Sequence, residues 1–236
     1  MAYDFDKIAD NYDSLNHLMT FGMDRLWRRR GAKWLTRGQW RPKCLDVAAG
    51  TGDLAFEMYR SGADEPIVCV DLSKKMLEIA SNKMALETEC IIADAESLPF
   101  DNGSFDCVGC AFGIRNFVHL EKGLTEMVRV LKPGGRMAIL ELSTPDNPML
   151  RPFYNLYSRC IIPLLGEKIA KNREAYTYLP ESIERFPKGK QMRKMLEKPA
   201  VKCANAKYSL VFAECTNAQK NNSPNLQNFK LYTIYG

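Results

Sequence analysis

The amino-acid sequence predicts an α/β fold, in which a parallel β-sheet carries helices on both faces. From Lys43 onward, short apolar runs of strand length alternate with longer segments of helical periodicity. The first apolar run leads directly into a glycine turn, GTG at 50–52. The chain has 236 residues, of which 46% are apolar and 26% charged, so we expect one soluble domain that carries an insertion.

Composition and charge exclude several other classes of protein. The balance of residues rules out a disordered chain, a collagen and a disulfide scaffold. No stretch approaches the roughly 18 apolar residues of a membrane span. The first ten residues are acidic and lack the apolar core of a secretory signal, and the eight cysteines are irregularly spaced, so we expect a cytoplasmic protein with reduced thiols. A net charge of +5 does not indicate nucleic-acid binding.

The first 40 residues have the pattern of two helices. Phe5, Ile8 and Tyr12 share one helical face, and a second helix follows Gly22. This second helix contains the arginine run 28–30, which we interpret as a solvated face, with contact to an anion as the alternative.

Five strands and three helices are predicted between residues 43 and 142. Ser73 is the expected N-cap of the second of these helices, and the motif LKPGG at 131–135 is a stop signal for the third. The predicted strands are Cys44–Ala49, Ile67–Val70, Cys90–Ala93, Phe105–Phe112 and Met137–Leu142, and Asp53–Arg60 is the predicted start of the first helix.

Residues 147–198 interrupt this alternation. They are punctuated by proline, are mostly helix-like and are too numerous for a loop. We interpret them as a helical cap over the carboxyl edge of the sheet, where open α/β sheets bind their ligands.

The first two strands supply the elements of an adenosine site. Gly50 and Gly52 allow close approach of the backbone to a ligand, and Asp71 ends the second strand, 21 residues after Gly50. An acid at that place can accept hydrogen bonds from both ribose hydroxyls. The turn AAGTGD lacks the third glycine of a dinucleotide site, and Asp53 at the helix start would repel a pyrophosphate. S-adenosyl-L-methionine, a sulfonium without phosphate, fits this turn better.

The sequence resembles the class I S-adenosylmethionine-dependent methyltransferases, and more closely the UbiE-type C-methyltransferases of menaquinone and ubiquinone biosynthesis. The resemblance covers about residues 3–198 and implies a Rossmann-like sheet. FGIRN and YLPESI are its most distinctive motifs. The matching segments are FDKIADNYDSLNHLMTFGMDRLWRR (5–29), LDVAAGTGDLA (45–55), DLSKKML (71–77), ADAESLPF (93–100), FGIRNF (112–117), LKPGG (131–135), LELSTP (140–145) and YLPESIERFP (178–187).

This resemblance also implies the cofactor contacts. It places Thr51 against the methionine moiety, Asp71 on the ribose hydroxyls, and Asp94 and Ala95 beside the adenine. Ala111 stands where relatives often have a serine, which removes one hydroxyl contact. The expected cofactor-binding residues are Asp46, Gly50, Thr51, Gly52, Asp71, Asp94 and Ala95.

Methylation of a quinol carbon requires a group that accepts a hydroxyl proton or stabilises the phenolate. Arg115, Asn116 and Tyr12 are the candidate catalytic residues. The alternatives are a structural ion pair for Arg115 and a core position for Tyr12. Cys107 and Cys110 form a CxxC pattern, but within a strand their side chains point to opposite faces, so we expect no metal site.

The expected substrate is a prenylated quinol, in first place demethylmenaquinol. Another small hydrophobic acceptor, or a cofactor-binding protein without activity, are the alternatives. A lipid-soluble substrate suggests peripheral contact with the inner membrane face, with a cap helix packed on the sheet as the alternative, and a homodimer stays open. The apolar cluster that we expect at the membrane, with its flanking cations, is Ile161, Ile162, Leu164, Leu165, Arg159 and Lys168.

Residues 199–236 differ from the methyltransferase domain 1–198. They hold four lysines, one acid and six asparagines, and the resemblance ends before them. Back-translation with one base lost near the Lys198 codon permits a family-like ending, so we interpret the tail as frameshifted. We therefore expect the outer edge of the fifth strand to lack its usual partners. Tyr208–Ala213 is β-prone and could pair there, whereas Asn217–Asn228 should be disordered.

Overall fold

The structure is a computed structural model, and Asn217–Asn228 lies outside the part of the chain that it describes. Among the described residues, no helix combines the length and the hydropathy that crossing a bilayer requires. The described residues are 5–63, 65–84, 87–142, 149, 151–164, 167, 173–187, 191–192, 195, 201–202, 210–215 and 229–232.

The N-terminal segment begins with two single 3-10 turns, Phe5–Lys7 and Ala9–Asn11, before the helix α1, Tyr12–Met19. The helix predicted through Phe5 and Ile8 therefore starts only at Tyr12. These side chains nevertheless pack in one apolar cluster with Leu15, as their spacing indicates. The helix α2, Met23–Thr36, follows Gly22. This glycine has a φ of 74° and is the last residue of the turn between the two helices.

The centre of the fold is the predicted parallel sheet. Its strands are β1 Cys44–Val47, β2 Ile67–Asp71, β3 Thr88–Ile92, β4 Phe105–Ala111 and β5 Leu131–Leu140. The helices between them are α3 Asp53–Arg60, α4 Lys74–Met84 and α5 Leu120–Arg129. The strand order is β3-β2-β1-β4-β5. Ser73 caps α4 as predicted, since its hydroxyl accepts the backbone N–H of Met76 at 3.1 Å.

Apolar side chains cover both faces of this sheet. One core includes Leu124 and Met127 of α5, and the other includes Leu35 of α2 and Leu54 of α3. The prediction of helices on both faces is confirmed. Cys107 belongs to the second core and Cys110 to the first, so the two cysteines point to opposite faces, as predicted.

The predicted cap is helical where the structure describes it. It contains α6, Arg151–Leu156, a π-helical turn at Tyr157–Ile161, and α7, Arg173–Arg185. Leu165 and Lys168, of the expected membrane surface, lie outside the described residues. Ile162 is buried against the N-terminal segment, so its assignment to that surface is wrong; it packs with Ile8, Leu15 and Met76.

Three short strands continue the sheet beyond β5. They are β6 Val201–Lys202, β7 Leu210–Cys215 and β8 Phe229–Tyr232, in the order β5-β7-β8-β6. β7 runs antiparallel to β5. The edge of β5 is therefore paired, and residues 210–213 of the partner strand belong to the segment that the sequence analysis named as able to pair there. The sequence LVFAEC is rich in β-forming residues, and the free N–H and C=O groups of a strand edge pair readily with such a segment.

Candidate active site

A cavity of about 290 Å³ lies at the carboxyl ends of the central strands. Its walls include residues that directly follow β1, β3 and β4 and the last residue of β2. In this strand order, β1 lies between β2 and β4, so the cavity occupies the position where open α/β sheets bind ligands. Among the described residues, one basic side chain, Arg28, lines it. The acidic side chains in its wall are Asp6, Asp46, Asp53, Asp71, Asp94 and Glu96.

The glycine turn shapes one wall of the cavity. Gly50 and Gly52 have φ values of 55° and 78°, which glycine adopts without strain. A Cβ on Gly52 would also lie 2.9 Å from the Cβ of Ala80, so this glycine lets α3 begin close to α4. The ring of Tyr12 lies across the turn, 4.0 Å from the position of a Cβ on Gly50.

Asp71 is held in place by backbone groups. Its Oδ2 accepts the N–H of Gly50 at 2.8 Å, and its Oδ1 accepts the N–H of Ser73 at 2.9 Å. Burial raises the pKa of this carboxyl, and the backbone hydrogen bonds oppose that shift. Each carboxylate oxygen has two lone pairs, so both oxygens can accept a further hydrogen bond from a ligand.

Asp46 is the most deeply buried acid of the cavity. Its Oδ2 accepts the N–H of Ala55 at 2.9 Å, whereas its Oδ1 is buried without a hydrogen-bond partner among the described residues. Burial raises the pKa of Asp46 to about 8, while the Ala55 hydrogen bond and the charge of Arg28 act in the opposite direction. A cationic ligand group would compensate this carboxylate.

Asp94 and Ala95 form the wall that follows β3. One oxygen of Asp94 accepts the backbone N–H of Glu96 at 2.8 Å, which fixes the turn and leaves the other oxygen for a ligand. Glu96 in turn accepts the N–H of His119 at 2.7 Å, so the loop before α5 is tied to this wall.

Thr51 lines the cavity, but its hydroxyl proton is already used. The hydroxyl donates to Asp13 Oδ1 at 2.5 Å. Asp13 Oδ2 accepts a bond of 2.8 Å from Lys83, which also donates to Asp53 at 2.6 Å. Thr51 therefore links the glycine turn to α1 and can offer a ligand only its oxygen lone pairs.

Arg28 is a cavity residue that the sequence interpretation did not single out. Its guanidinium is buried, pairs with Asp24, lies 3.6 Å from Asp53 and stacks over the ring of Phe112 at 4.8 Å. The interpretation of the arginine run as a solvated face is wrong here. Arg28 shares its helical face with the buried residues Ala32 and Leu35, and that periodicity is the signal that could have identified it.

Arg115 lies behind the cavity wall. Its Nη1 donates to Glu141 Oε1 at 2.6 Å and to the carbonyl of Phe112 at 2.5 Å, and both members of the Arg115–Glu141 pair are almost completely buried. The structural ion pair considered in the sequence analysis is therefore present. Arg115 Nε is buried without a hydrogen-bond partner among the described residues. Glu141 is a second residue that the sequence interpretation did not single out.

Tyr12 and Asn116 both line the cavity. Burial raises the pKa of Tyr12, and the charges of Arg115 and Arg28 oppose the shift, so its phenol is protonated at neutral pH. The hydroxyl of Tyr178, on the cap helix α7, donates to Asn116 Oδ1 at 3.0 Å. This bond fixes the amide plane of Asn116 and connects the cap to the site. The motif YLPESI marked this segment but not the role of its first residue.

The residues that directly follow β1 and β4 have strained backbone conformations. Ala48 and Phe112 have φ values of 52° and 60°, a region that residues other than glycine rarely adopt. Both residues line the cavity, beside Ala111, which brings no hydroxyl. A Cβ on Gly113 would lie 2.6 Å from the Cβ of Ala48, so the glycine permits this close approach.

The structure thus brings together most of the predicted site. Gly52 and Arg115 lie outside the cavity wall, and Gly52 directly follows Thr51 in the turn. The predicted residues that line the cavity are Tyr12, Asp46, Gly50, Thr51, Asp71, Asp94, Ala95 and Asn116.

Comparison with known proteins identifies the family. The family model described as the ubiE/COQ5 methyltransferase family matches residues 2–216. The chain belongs to the ubiE/COQ5 methyltransferase family. The match of this family model extends past Lys198, where the sequence resemblance was expected to end.

Curated relatives of this methyltransferase agree with that assignment. The demethylmenaquinone methyltransferase of Bacteroides fragilis is 42% identical over 200 residues, which cover 82% of this chain and 81% of the relative. The demethylmenaquinone methyltransferase of Thermus thermophilus is 42% identical, with coverage of 81% and 88%. The ubiquinone/menaquinone biosynthesis C-methyltransferase UbiE of Bartonella quintana is 41% identical, with coverage of 81% and 76%.

Solved structures share the fold of this methyltransferase. A Methanococcus maripaludis protein assigned as an S-adenosyl-L-methionine-dependent methyltransferase aligns with a TM-score of 0.60 at 17% identity, covering 94% of this chain and 98% of its own. A Thermotoga maritima S-adenosylmethionine-dependent methyltransferase aligns with a TM-score of 0.57 at 21% identity, covering 84% and 79%. These alignments confirm the predicted Rossmann-like methyltransferase fold.

Proposed function

We propose that this methyltransferase uses S-adenosylmethionine to methylate a ring carbon of a prenylated quinol, with demethylmenaquinol as the first candidate. The acidic cavity is the observation that carries this proposal. Six acidic side chains and one guanidinium suit a ligand with a sulfonium and an ammonium group, and they disfavour a pyrophosphate. The names of the relatives that are 41–42% identical support the quinol as acceptor.

The residues present fit the cofactor. The unpartnered Asp46 Oδ1 would receive a cationic group, and Arg28 offers a guanidinium for the carboxylate of the methionine moiety. Asp71 would accept the ribose hydroxyls, and Asp94 and Ala95 would flank the adenine. When bound, S-adenosylmethionine supplies a methyl group that is already activated by its sulfonium, so the protein mainly has to orient the acceptor.

The residues beside the cavity assist the acceptor. Asn116, oriented by Tyr178, can donate a hydrogen bond to the acceptor oxygen as negative charge develops there. The neutral phenol of Tyr12 can exchange hydrogen bonds with the same hydroxyl. Arg115, held by Glu141 behind the wall, contributes a fixed positive charge that favours ionisation of the hydroxyl.

A direct assay tests this proposal. The protein is incubated with methyl-labelled S-adenosylmethionine and short-chain quinols, including demethylmenaquinol and the corresponding ubiquinone precursor, and the products are identified by mass. We expect labelled methyl on a ring carbon of demethylmenaquinol. Asp71→Asn keeps the fold, because an amide oxygen still accepts one of the two backbone bonds.

The affinity of the Asp71→Asn variant for S-adenosylmethionine should be lower by a factor of about ten or more, since a hydrogen bond to a charged group contributes about 1.5–3 kcal/mol. Calorimetry measures this affinity separately from turnover. Cofactor binding without methyl transfer to any quinol would favour a different hydrophobic acceptor or a binding protein without activity.

A further inference from the structure

Exposed apolar side chains surround the turn between α1 and α2. We call this surface the corner; its residues are Leu18, Phe21, Met23 and Leu26, all exposed. Phe21 is 81% exposed and has a φ of 52°, a conformation in which glycine or asparagine would be less strained. A large aromatic residue at such a position has no role in the cavity, and clustered exposed apolar residues mark interaction sites.

The apolar surface continues onto the cap. The ring of Phe21 stacks on Tyr157 with a centroid distance of 5.9 Å, and the Tyr157 hydroxyl donates to the carbonyl of Met19 at 2.7 Å. Phe153 and Leu156 are exposed on α6, three residues apart and therefore on one helical side. The corner and the cap are therefore adjacent and form one apolar surface.

Cations flank the corner along α2. The solvent side of this helix carries the exposed residues Arg25, Arg29 and Lys33, with the half-buried Arg30 beside them. The one acid of the helix, Asp24, is buried against Arg28. The structure shows no ion pair between the exposed cations Arg25 or Arg29 and any described residue. An apolar tip beside a one-sided basic face has the chemistry of a surface that lies on an anionic lipid bilayer.

We propose that the corner docks on an anionic lipid bilayer, with Phe21 and its apolar neighbours at the boundary of headgroups and acyl chains and the arginines of α2 on lipid phosphates. This docking proposal extends the proposed function, and its role in the cell rests on that function. α1 extends from the corner to Tyr12 in the cavity wall, about 12 Å for eight helical residues. A quinol head could therefore reach the cavity while its prenyl tail stays in the bilayer.

Vesicle flotation with the full chain tests the proposal. We expect the protein to float with phosphatidylcholine vesicles that contain phosphatidylglycerol and to float much less with phosphatidylcholine alone. Phe21→Glu and Arg25→Glu/Arg29→Glu should each reduce the vesicle-bound fraction at least tenfold. Trp40→Glu is the apolar control, because Trp40 is 89% exposed beyond the far end of α2, and Lys122→Glu is the charge control on α5.

The results divide clearly. No flotation with anionic vesicles, or flotation that Phe21→Glu leaves unchanged, would overturn the proposal. A concentration-dependent dimer that Phe21→Glu dissociates, without vesicle binding, would assign the corner to a second copy of the chain and overturn it as well.

Activity separates this proposal from the proposed function. In solution, Phe21→Glu should methylate a short-chain quinol at the wild-type rate, and only its turnover of a long-chain quinol in vesicles should fall. Flotation that depends on the corner, combined with no methyl transfer to any quinol, would remove the proposed function and leave the docking surface established.

Discussion

Asp46 illustrates how a single site residue can reduce stability in favour of ligand binding. Its folded pKa of about 8 lies far above the ordinary value of 3.8 for an aspartate side chain. Between these values the folded state holds a proton that the unfolded state has released, so stability decreases as pH rises and levels off above about pH 8. The decrease approaches about 1.4 kcal/mol per pH unit.

The substitution Asp46→Asn should remove this pH dependence. The amide oxygen can still accept the N–H of Ala55, and no carboxyl remains to ionise. We expect the free energy of unfolding in urea to exceed that of the wild type, by a margin that grows from pH 5 to pH 8. Parallel curves for the two proteins across this range would contradict the assignment.

The same substitution should weaken cofactor binding. Removing the charge that would face the cationic group should lower affinity for S-adenosylmethionine by roughly ten- to a hundredfold, the equivalent of one charge-assisted hydrogen bond. In the wild type below pH 8, binding should release a proton. Titration calorimetry in buffers of different ionisation enthalpy measures both effects, and a variant that binds like the wild type would show that Asp46 does not face the ligand.

Arg115 and Glu141 require a test that separates catalysis from stability. Arg115→Ala leaves a buried carboxylate unpaired, which typically costs about 3–5 kcal/mol. Replacing both residues, as in Arg115→Met/Glu141→Leu, should recover most of that stability. If Arg115 also acts through its charge, kcat with a quinol should stay low in the recovered double variant while cofactor affinity is nearly normal. A double variant with wild-type kcat would show that the Arg115–Glu141 pair has only a structural role.

Most of the predicted site residues line the cavity because their chemistry is local. The glycine turn and Asp71 belong to short motifs whose spacing specifies their position at the strand ends. The location of Arg28 and the partner of Arg115 depend on tertiary packing. Arg28 looks like part of an exposed cationic run until the buried side of α2 is known, and Glu141 meets Arg115 only because β5 lies beside β4.

Among the elements, the cap helix α7 acts on the site through Tyr178. Tyr178→Phe removes the hydroxyl that donates to Asn116 Oδ1 and allows the amide to rotate. We expect kcat to fall several-fold to tenfold, with little change in affinity for S-adenosylmethionine, because the change affects the acceptor side. Steady-state kinetics with calorimetry measure the split.

Two comparisons give this prediction its control. Tyr154→Phe alters another tyrosine of the cap whose pKa is raised by burial, and it should affect kcat less, since the structure shows no bond from it to Asn116 among the described residues. Equal losses of kcat in both variants, or a loss confined to cofactor affinity, would show that Tyr178 does not position Asn116.

The boundaries of the elements show where local pattern fails. The helix α3 begins at Asp53 as predicted, because Gly52 precedes it and its apolar face is periodic. β5 begins at Leu131, six residues earlier than predicted, although Pro133 and Gly134 indicate a turn. Pairing with β4, across a register shift between Phe105 and Cys107, extends the strand through this stretch.

For the whole molecule, the sheet depends on β7. This strand lies between β5 and β8, with Val211 opposite Ile139. Val211→Pro should break backbone pairing and re-expose the edge of β5, so we expect a lower Tm by several degrees and faster aggregation on heating. Val211→Ala controls for the lost side chain. Thermal unfolding with light scattering measures both, and equal behaviour of the two variants would show that β7 pairing contributes little.

The frameshift interpretation of residues 199–236 stays a hypothesis about the gene. Resequencing of the coding region tests it, and a read that lacks the permitted third-base pattern would end it. Restoring the alternative frame should then raise the Tm if the usual strands pair with β5 more strongly than β7 does. An unchanged Tm would indicate that LVFAEC serves the edge equally well.

The order of the strands also has a consequence for synthesis on the ribosome. β5 ends at Leu140 and its outer partner begins at Leu210, so about 70 residues separate two neighbouring strands. At about 5–20 residues per second, the nascent chain presents a bare strand edge for several seconds before its partner is made. Chaperones that shield extended segments should therefore matter more for the yield of this protein than for its stability once folded.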